Sequence, residues 1–283
     1  MADLIISKAA TGEGWSDGSA SYEKYLAPAT KLGIERLIEA LFKMHPPTAE
    51  SKFLDCGAGT GISTSILRER HPFIPITALD LSPGMIERIR QLGLSGVKLC
   101  VGDAAAMDRT QIPRDFFTHV VAALMIQFSG DKQPDVVREF YDSLAPGGVA
   151  GISLSTDINI AEPWNRACAR LDPAYEPSYV HDDKAWTAPE QLEAGMREAG
   201  FEDIQKVKVW MPMFTVKTKE DYVDFWYRGN HPGFSIRDMG AWKGNPDDVL
   251  PELLKVLGEY KDLSNDIGVA SDIVLGRKPR LSS

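Results

Sequence analysis

Cysteine, clustered basic residues and long apolar runs are scarce in this chain of 283 residues. Its cysteines, Cys56, Cys100 and Cys168, are too few and too scattered for a disulfide framework or a zinc site, so we predict no metal. The net charge of -9 and the lack of a Lys/Arg block argue against nucleic acid as a partner.

No apolar run approaches the ~18 residues that span a bilayer, so we predict no membrane span. The opening "MADLIISKAATGEGW" contains acidic and polar residues, which does not indicate a signal peptide. We therefore expect a cytoplasmic protein. The oligomeric state, monomer or homodimer, stays open.

Short β-rich runs alternate with helical patterns from Lys52 to Leu154, which predicts an α/β, doubly wound sheet with helices on both faces. The predicted strands are "KFLDCG", "IPITALD", "VKLCVGD", "THVVAALMIQF" and "VAGISLS". The predicted helices are "ISTSILRERHP", "SPGMIERIRQLG" and "PDVVREFYDSLAPGG". Ser82 is placed as the N-cap of the second of these helices, with Pro83 first and Gly93 at its end.

The pattern changes after Leu154. "TAPEQLEAGMREAGF" predicts a helix with Thr187 and Glu190 as a capping box and Gly200 at its end, and "IQKVKVWMPMF" and "ASDIVLGRKP" predict strands. All six tryptophans lie outside the alternating segment, which suits either a second hydrophobic layer or a cap with aromatic walls for an apolar substrate. Near the start, "ATKLGIERLIEALF" predicts a helix whose apolar face is Ile34, Leu37, Ile38, Leu41 and Phe42.

A glycine loop, "DCGAGTG", follows the first predicted strand. Gly61 is followed by Ile62 rather than Lys, which excludes a phosphate-cradling loop, and Ile62 also stands where a dinucleotide fingerprint needs a small residue. Asp55 beside the loop would repel a pyrophosphate but suits a ligand with an ammonium group. A turn that uses glycine only for its backbone angles is the alternative.

Two more aspartates end the second and third predicted strands. Asp80 stands where a doubly wound sheet presents a carboxylate to ribose hydroxyls, although Asp80 and Ser82 compete as helix caps. Asp103 falls at the same sheet edge, and it too suits a cap. Together with the glycine loop, the three aspartates predict a ligand that contains a nucleoside.

The motifs "FLDCGAGTG", "ITALDLSPGMIERI", "VGDAAAMD" and "LAPGGVAGISL" resemble those of class I S-adenosylmethionine-dependent methyltransferases, over roughly residues 50 to 155. The resemblance is strongest to the small-molecule branch, the ubiquinone/menaquinone-biosynthesis-like and fungal secondary-metabolism enzymes. It implies a Rossmann-like sheet of seven strands, mostly parallel with an antiparallel last strand. It also implies an N-terminal helical lid over residues 1–49 and a methyltransferase domain over 50–283, with cap insertions near 156–186 and 215–268.

The resemblance further implies S-adenosyl-L-methionine as the cofactor and S-adenosyl-L-homocysteine as its product. Asp55 would lie near the methionine ammonium, Asp80 would hold the ribose, Leu81 would pack on adenine and Asp103 would accept from the adenine amino group. The full set of implied cofactor contacts is Asp55, Gly57, Ala58, Gly59, Gly61, Asp80, Leu81, Met85, Gly102, Asp103, Ala104, Met125, Gln127, Tyr22 and Trp15.

Two departures from the family pattern follow. Thr118 stands where many relatives have Asp at the start of the fourth strand, with Asp115 displaced upstream, and Gln127 and Phe128 replace a His-His pair. Gln127 can orient a substrate but cannot remove a proton. His231 and His181, in the cap region, are the candidate catalytic bases.

The predicted activity is methyl transfer to the O, N or C atom of a small, hydrophobic or aromatic metabolite. In-line displacement from a sulfonium needs alignment and a dry site more than a strong catalytic group. Trp15, Tyr22 and Tyr25 would supply a lid, or else simply pack on a helix face. The alternatives are the same fold repurposed for a non-methylating rearrangement or elimination, and a non-catalytic cofactor-binding regulator.

Overall fold

The computed structural model describes residues 22–110, 112–177, 188–228 and 242–280. Its strands form one seven-stranded sheet in the order β3-β2-β1-β4-β5-β7-β6. The strands are β1 Phe53–Cys56, β2 Ile76–Asp80, β3 Val97–Val101, β4 Phe117–Ala123, β5 Leu144–Ile158, β6 Glu202–Pro212 and β7 Gly268–Arg277. Strands β1 to β5 are mutually parallel, and β7 runs antiparallel to both β5 and β6. The predicted doubly wound sheet with its antiparallel last strand is confirmed.

Helices cover both faces of the sheet and build a cap beside it. They are α1 Ala27–Met44, α2 Ile62–Arg70, α3 Pro83–Gln91, α4 Gln133–Ser143, α5 Glu162–Leu171, α6 Pro189–Ala199, α7 Lys219–Tyr222, α8 Leu250–Leu257 and α9 Leu263–Asp266. Strands β2 and β3 follow β1 to one side, whereas β4 lies on the other side of β1. Such a reversal opens a crevice at the carboxyl ends of the strands, where proteins of this architecture bind their ligands.

Local chemistry explains the ends of α3. The Met85 amide donates to Ser82 Oγ, Pro83 is the first helical residue, and Gly93 has a φ of 63°. Pro needs no hydrogen-bond partner at that position, and Gly adopts a positive φ without strain. The predicted caps are confirmed, and Ser82 rather than Asp80 caps the helix.

Helix α6 begins differently from the prediction. Its N-cap is Ala188, whose amide donates to Gln191 Oε1 at 3.1 Å, so the half of the capping box that the structure shows uses Gln191 and not Glu190. Thr187 lies outside the described residues. The predicted end is confirmed, because Gly200 takes a φ of 104° directly after the helix.

Strand β4 is shorter than its apolar run. It ends at Ala123, because Leu124 takes a φ of 55° and a 3-10 turn, Ile126–Phe128, follows. A positive φ is unusual for a bulky non-glycine residue. The predicted extension of the strand through Phe128 is wrong, and the chain turns there at the carboxyl edge of the sheet.

Two hydrophobic layers hold α1 and the cap on the sheet. The cap consists of α5, α7, α8 and α9. Helix α1 places Ile34, Leu37 and Ile38, all at most 5% exposed, in one cluster with Ile273 and Leu275 of β7. The cap forms a second cluster in which Trp164 and Trp226 are 3% and 0% exposed, with Tyr25, Leu26, Tyr222, Phe225 and Leu253 among its other members. Among the tryptophans, these two therefore fill a hydrophobic layer, as one of the two interpretations held.

Three histidines pack with Phe42 and Phe53 at the amino end of the parallel strands. His119 is fully buried, with Nε2 at 2.8 Å from the His45 carbonyl oxygen and Nδ1 at 2.8 Å from Thr118 Oγ1. His71 is half-buried and contacts the rings of Phe42 and Phe53, and His45 is half-buried and contacts the ring of His119. Across the described ranges, no helix combines the length and apolarity that crossing a bilayer would demand.

Candidate functional site at the carboxyl edge of the sheet

The three loop glycines after β1 share a positive φ but not a single role. A Cβ atom at Gly57 would lie 2.6 Å from Met125 Cβ, and one at Gly61 would lie 3.0 Å from Ile89 and Leu92 side-chain atoms. At Gly59, nothing lies within 4 Å of that position. Gly57 therefore accommodates Met125, Gly61 accommodates α3, and Gly59 is the glycine with open space in front of it.

Asp55 is a buried carboxylate beneath the loop, 1% exposed. Ser63 Oγ donates to it at 2.6 to 2.7 Å and Thr64 Oγ1 at 2.5 Å, both from the first turn of α2. Burial raises the pKa of Asp55 to about 6 against the opposing effect of these hydroxyls, and the charge of Asp80 raises it further. Ser63 and Thr64 were not among the predicted site residues, although most buried carboxylates have such donors.

Asp80 ties the end of β2 to the glycine loop. Its Oδ2 accepts from the Gly59 amide at 2.8 Å, and its Oδ1 accepts from the Ser82 amide at 2.9 Å. Each carboxylate oxygen can accept a second hydrogen bond. Burial raises the pKa of Asp80. The side chain thus fixes the loop and keeps one acceptor position on each oxygen.

Asp103 follows β3 and Gly102, whose amide donates to the Asp80 carbonyl oxygen at 2.9 Å. One Asp103 oxygen accepts from the Ala105 amide at 2.9 Å, so the capping role also holds. The other oxygen pairs with Lys132 Nζ at 3.0 Å, across from the turn that precedes α4. Sequence reasoning missed Lys132, because nothing in the spacing of residues 103 and 132 predicts their proximity.

Apolar side chains flank the two aspartates. Leu81 is 43% exposed and Val101, which pairs with Asp80 in the sheet, is 50% exposed. Ala58, Met85 and Ala104 are buried at this edge of the sheet, at 5%, 3% and 9% exposure. Exposed apolar groups beside hydrogen-bonding carboxylates suit a flat ligand with polar edges.

Met125 and Gln127 follow β4, on the other side of β1. Met125 packs on Gly57, and Gln127 Nε2 lies 3.5 Å from Ser155 Oγ of β5. Gln127 Oε1 is buried without a hydrogen-bond partner in the described structure. The structure therefore gathers the predicted residues of β1 to β4 along one edge, from Asp103 to Gln127.

Some predicted residues cannot be placed. Trp15, His181 and His231 lie outside the described residues, so the candidate bases stay predictions. Tyr22 begins a π-helical turn, Tyr22–Leu26, but its side chain is also outside the described part. In the ranges that are described, no group of His, Cys, Asp and Glu side chains is suited to hold a metal ion.

Comparison with known proteins matches residues 53–148 to the family described as methyltransferase domain. The chain is 30% identical to trans-aconitate 2-methyltransferase of Methylobacterium nodulans over 162 residues, 57% of each protein. It is 24% identical to methyltransferase ucsB of Acremonium sp over 217 residues, 71% of this chain and 73% of that protein. Among solved structures, YcgJ of Bacillus subtilis has a TM-score of 0.54 at 16% identity, over 87% of this chain and 99% of that one.

The first curated relatives are matched only in part, with coverage of their own lengths between 33% and 57%. The matched region nevertheless contains the glycine loop, the three strand-end aspartates and the sheet from β1 to the start of β5. Over residues 53–148 the chain therefore matches the methyltransferase domain family, and this match and the curated relatives indicate a class I S-adenosylmethionine-dependent methyltransferase.

Proposed function

We propose that the chain transfers a methyl group from S-adenosylmethionine to a small, hydrophobic or aromatic metabolite. The carrying observation is Asp80, which is held by the Gly59 and Ser82 amides and has one acceptor position left on each oxygen. Two such positions match a vicinal ribose diol. The family match and the open space at Gly59 support the same ligand.

The residues of this edge fit the rest of that ligand. Leu81 and Val101 would flank the adenine ring, and Asp103 would accept from its amino group beside Lys132. Asp55 lies beneath the loop, where its negative charge favours the methionine ammonium. S-adenosylmethionine supplies the methyl group from a positively charged sulfonium.

The chain's own contribution to the reaction is alignment and exclusion of water. Good alignment lowers a barrier by ~7–11 kcal/mol. The histidines in the described ranges, His45, His71 and His119, cluster at the amino end of the parallel strands, away from this edge. His119, for example, pairs with Phe53 at the start of β1. An acceptor whose nucleophile needs no strong base, such as a neutral amine, therefore suits the part of the site that the structure describes.

Calorimetric titration with S-adenosylmethionine and S-adenosylhomocysteine tests the proposal. We expect micromolar binding of both, and at least about tenfold weaker binding by Asp80→Asn, since an amide cannot accept at both of its ends. The matched control is Asp203→Asn, a surface carboxylate that pairs with Arg277 at 3.2 Å, which should bind both ligands normally. Lack of binding to the unaltered protein would rule the proposal out.

A further inference from the structure

Three polar side chains, here called the polar row, meet where the turn after β4 reaches β5 and β7. Ser155 and Ser271 are buried, and Gln127 is half-buried. Ser155 and Ser271 are 4% and 1% exposed and are directly opposite in the β5–β7 register. Opposite residues of an antiparallel pair share one face, with Cβ atoms about 4.5–5.5 Å apart. Gln127 Nε2 reaches the row from the turn after β4, 3.5 Å from Ser155 Oγ.

The polar row is incompletely satisfied. Gln127 Oε1 and Ser271 Oγ are both buried and have no hydrogen-bond partner in the described structure. A buried polar atom without a partner is destabilising, because it has lost its hydrogen bonds to water without replacing them. Both atoms belong to side chains next to Ser155, so together they form a site that a ligand's hydrogen-bonding group would complete.

The row lies beside the proposed cofactor loop. Met125, two residues before Gln127, packs on Gly57, so the row borders the loop on the side away from the adenine-binding residues. Between β4 and this turn, Leu124 has a φ of 55°, and its amide donates to both the carbonyl oxygen and Oγ of Ser153 at 3.1 Å. A strained residue that is fixed in this way is typical of functional sites.

The surroundings of the row are apolar. Val209 lies opposite Ser271 and packs against both the cap cluster and the cluster beneath α1. Val269, two residues before Ser271 on the same face, lies opposite Met211, and both are at most 5% exposed. Apart from Ser153, which lies on the same face and already accepts from the Leu124 amide, the row is thus the polar end of an apolar wall, and none of its three side chains carries a charge.

We propose that the polar row anchors the methyl acceptor, and that the acceptor is an uncharged molecule with an O–H or N–H group on an apolar body. This inference rests on the proposed function, because it places the acceptor beside the methyl donor. The O–H or N–H donates to Gln127 Oε1, and Ser271 Oγ offers a second hydrogen bond. A carboxylate would be buried there without a counter-ion, which is strongly unfavourable.

The test uses the full chain saturated with S-adenosylhomocysteine, and three probes of one shape: 4-butylphenol, 4-butylaniline and 4-butylbenzoate at pH 7.5. We expect the phenol or the aniline to bind at least about tenfold more tightly than the anionic benzoate. Gln127→Leu and Ser271→Ala should each weaken that binding about fivefold. Ser271→Ala, which is not among the implied cofactor contacts, should leave S-adenosylhomocysteine binding unchanged.

A second readout does not depend on the probe. Because Ser271 Oγ has no partner, Ser271→Ala should raise the thermal unfolding midpoint of the free protein while it weakens probe binding. The matched control is Ser143→Ala in α4, also buried at 2% exposure, whose hydroxyl donates to the Phe140 carbonyl oxygen at 2.9 Å. That variant should gain no stability and bind the probes normally.

The outcomes separate the two proposals. If the unaltered protein binds no S-adenosylhomocysteine, both the proposed function and the anchor are overturned. If it binds S-adenosylhomocysteine but prefers the benzoate, binds no probe, or loses stability in Ser271→Ala, the anchor alone is overturned and the polar row is structural.

Discussion

Asp55 and Asp80 are buried carboxylates on neighbouring strands, and their donors give them different tasks. Side-chain hydroxyls of α2 enclose Asp55, whereas backbone amides hold Asp80 and leave part of each oxygen free. Amide donors are fixed by the fold, so the Asp80 carboxylate is rigidly held at the carboxyl edge of the sheet. In the proposed complex, Asp55 would act on the ligand through its charge, which depends on pH.

The pKa of Asp55, about 6, predicts a pH-dependent affinity for S-adenosylmethionine. The carboxylate must be ionised to attract the methionine ammonium, so the affinity should fall about tenfold per pH unit below pH 6. Calorimetric titrations between pH 4.5 and 8 measure this dependence. The comparison ligand is 5′-methylthioadenosine, which has the same nucleoside but no ammonium group.

The ratio of the two affinities isolates Asp55, because any titration of Asp80 affects both ligands through the shared ribose. We expect the ratio to be constant above about pH 7 and to fall below pH 6. A ratio that is independent of pH would mean that the ammonium does not interact with Asp55.

At the scale of single elements, α2 is fixed to the sheet by an arginine that has no carboxylate partner. Arg68 is 9% exposed, and its two Nη atoms donate to four carbonyl oxygens at 2.6 to 3.1 Å, those of His71, Pro72, Ile74 and Gly96. These carbonyls belong to the turns that lead into β2 and β3. The guanidinium therefore connects α2 to the turns before β2 and β3 at the amino edge of the sheet.

Replacing this guanidinium should be costly. Arg68→Met retains an apolar stem of similar length but leaves four carbonyl groups without their hydrogen-bond donor. The free energy of unfolding should therefore fall by about 2–4 kcal/mol in urea titrations. Arg70→Met, two residues on, serves as control because its one ion pair, with Glu39 at 3.9 Å, is exposed. An equal effect of the two substitutions would mean that the hydrogen bonds of Arg68 to the four carbonyl groups do not stabilise the fold.

The elements themselves were largely predictable from the sequence, because their ends carry local signals. Ser82, Pro83 and Gly93 bound α3 by their own backbone chemistry. The end of β4 was not predictable, since the apolar run continues past Ala123 and the positive φ of Leu124 depends on Ser153 of another strand. Long-range contacts leave no trace in the pattern of one segment.

At the scale of the whole molecule, the sequence predicted the site as an edge and not as a set of contacts. Parallel strands bring their carboxyl ends together, so Asp55, Asp80 and Asp103 had to share one edge. The pairing of Lys132 with Asp103 and the meeting of Gln127 with Ser155 depend on how the turns after β4 fold. The role of Gly57 was likewise hidden, because Met125 lies 68 positions away.

Acid should destabilise the whole fold through the histidine cluster. Burial lowers the pKa of His119 to about 4 and also lowers the pKa of His45 and His71. The unfolded chain takes up these protons near pH 6.5, before the folded protein does, so stability is lost as the pH falls from 6.5 toward 4. For His119 alone the loss is about 3 kcal/mol.

Urea unfolding at pH 7 and pH 4 measures this loss. The loss should be smaller by about 3 kcal/mol in His119→Gln, which does not titrate there. Asp55 contributes with the opposite sign, because its pKa is raised and the folded protein gains stability as that carboxyl is protonated. This contribution is the same in both proteins and cancels in the difference. Equal acid losses in the two proteins would show that His119 protonates freely in the folded state.

The position of β7 has a consequence for synthesis. This strand, Gly268–Arg277, lies between β5 and β6 and pairs with both of them. Strands β5 and β6, of 15 and 11 residues, leave the ribosome long before β7. Their edges that pair with β7 therefore stay unpaired while the remainder of the chain is translated. Unpaired strand edges template aggregation. A message truncated before codon 268 would therefore yield an aggregation-prone sheet with unpaired strand edges, even though the whole edge from Asp55 to Gln127 had already been made.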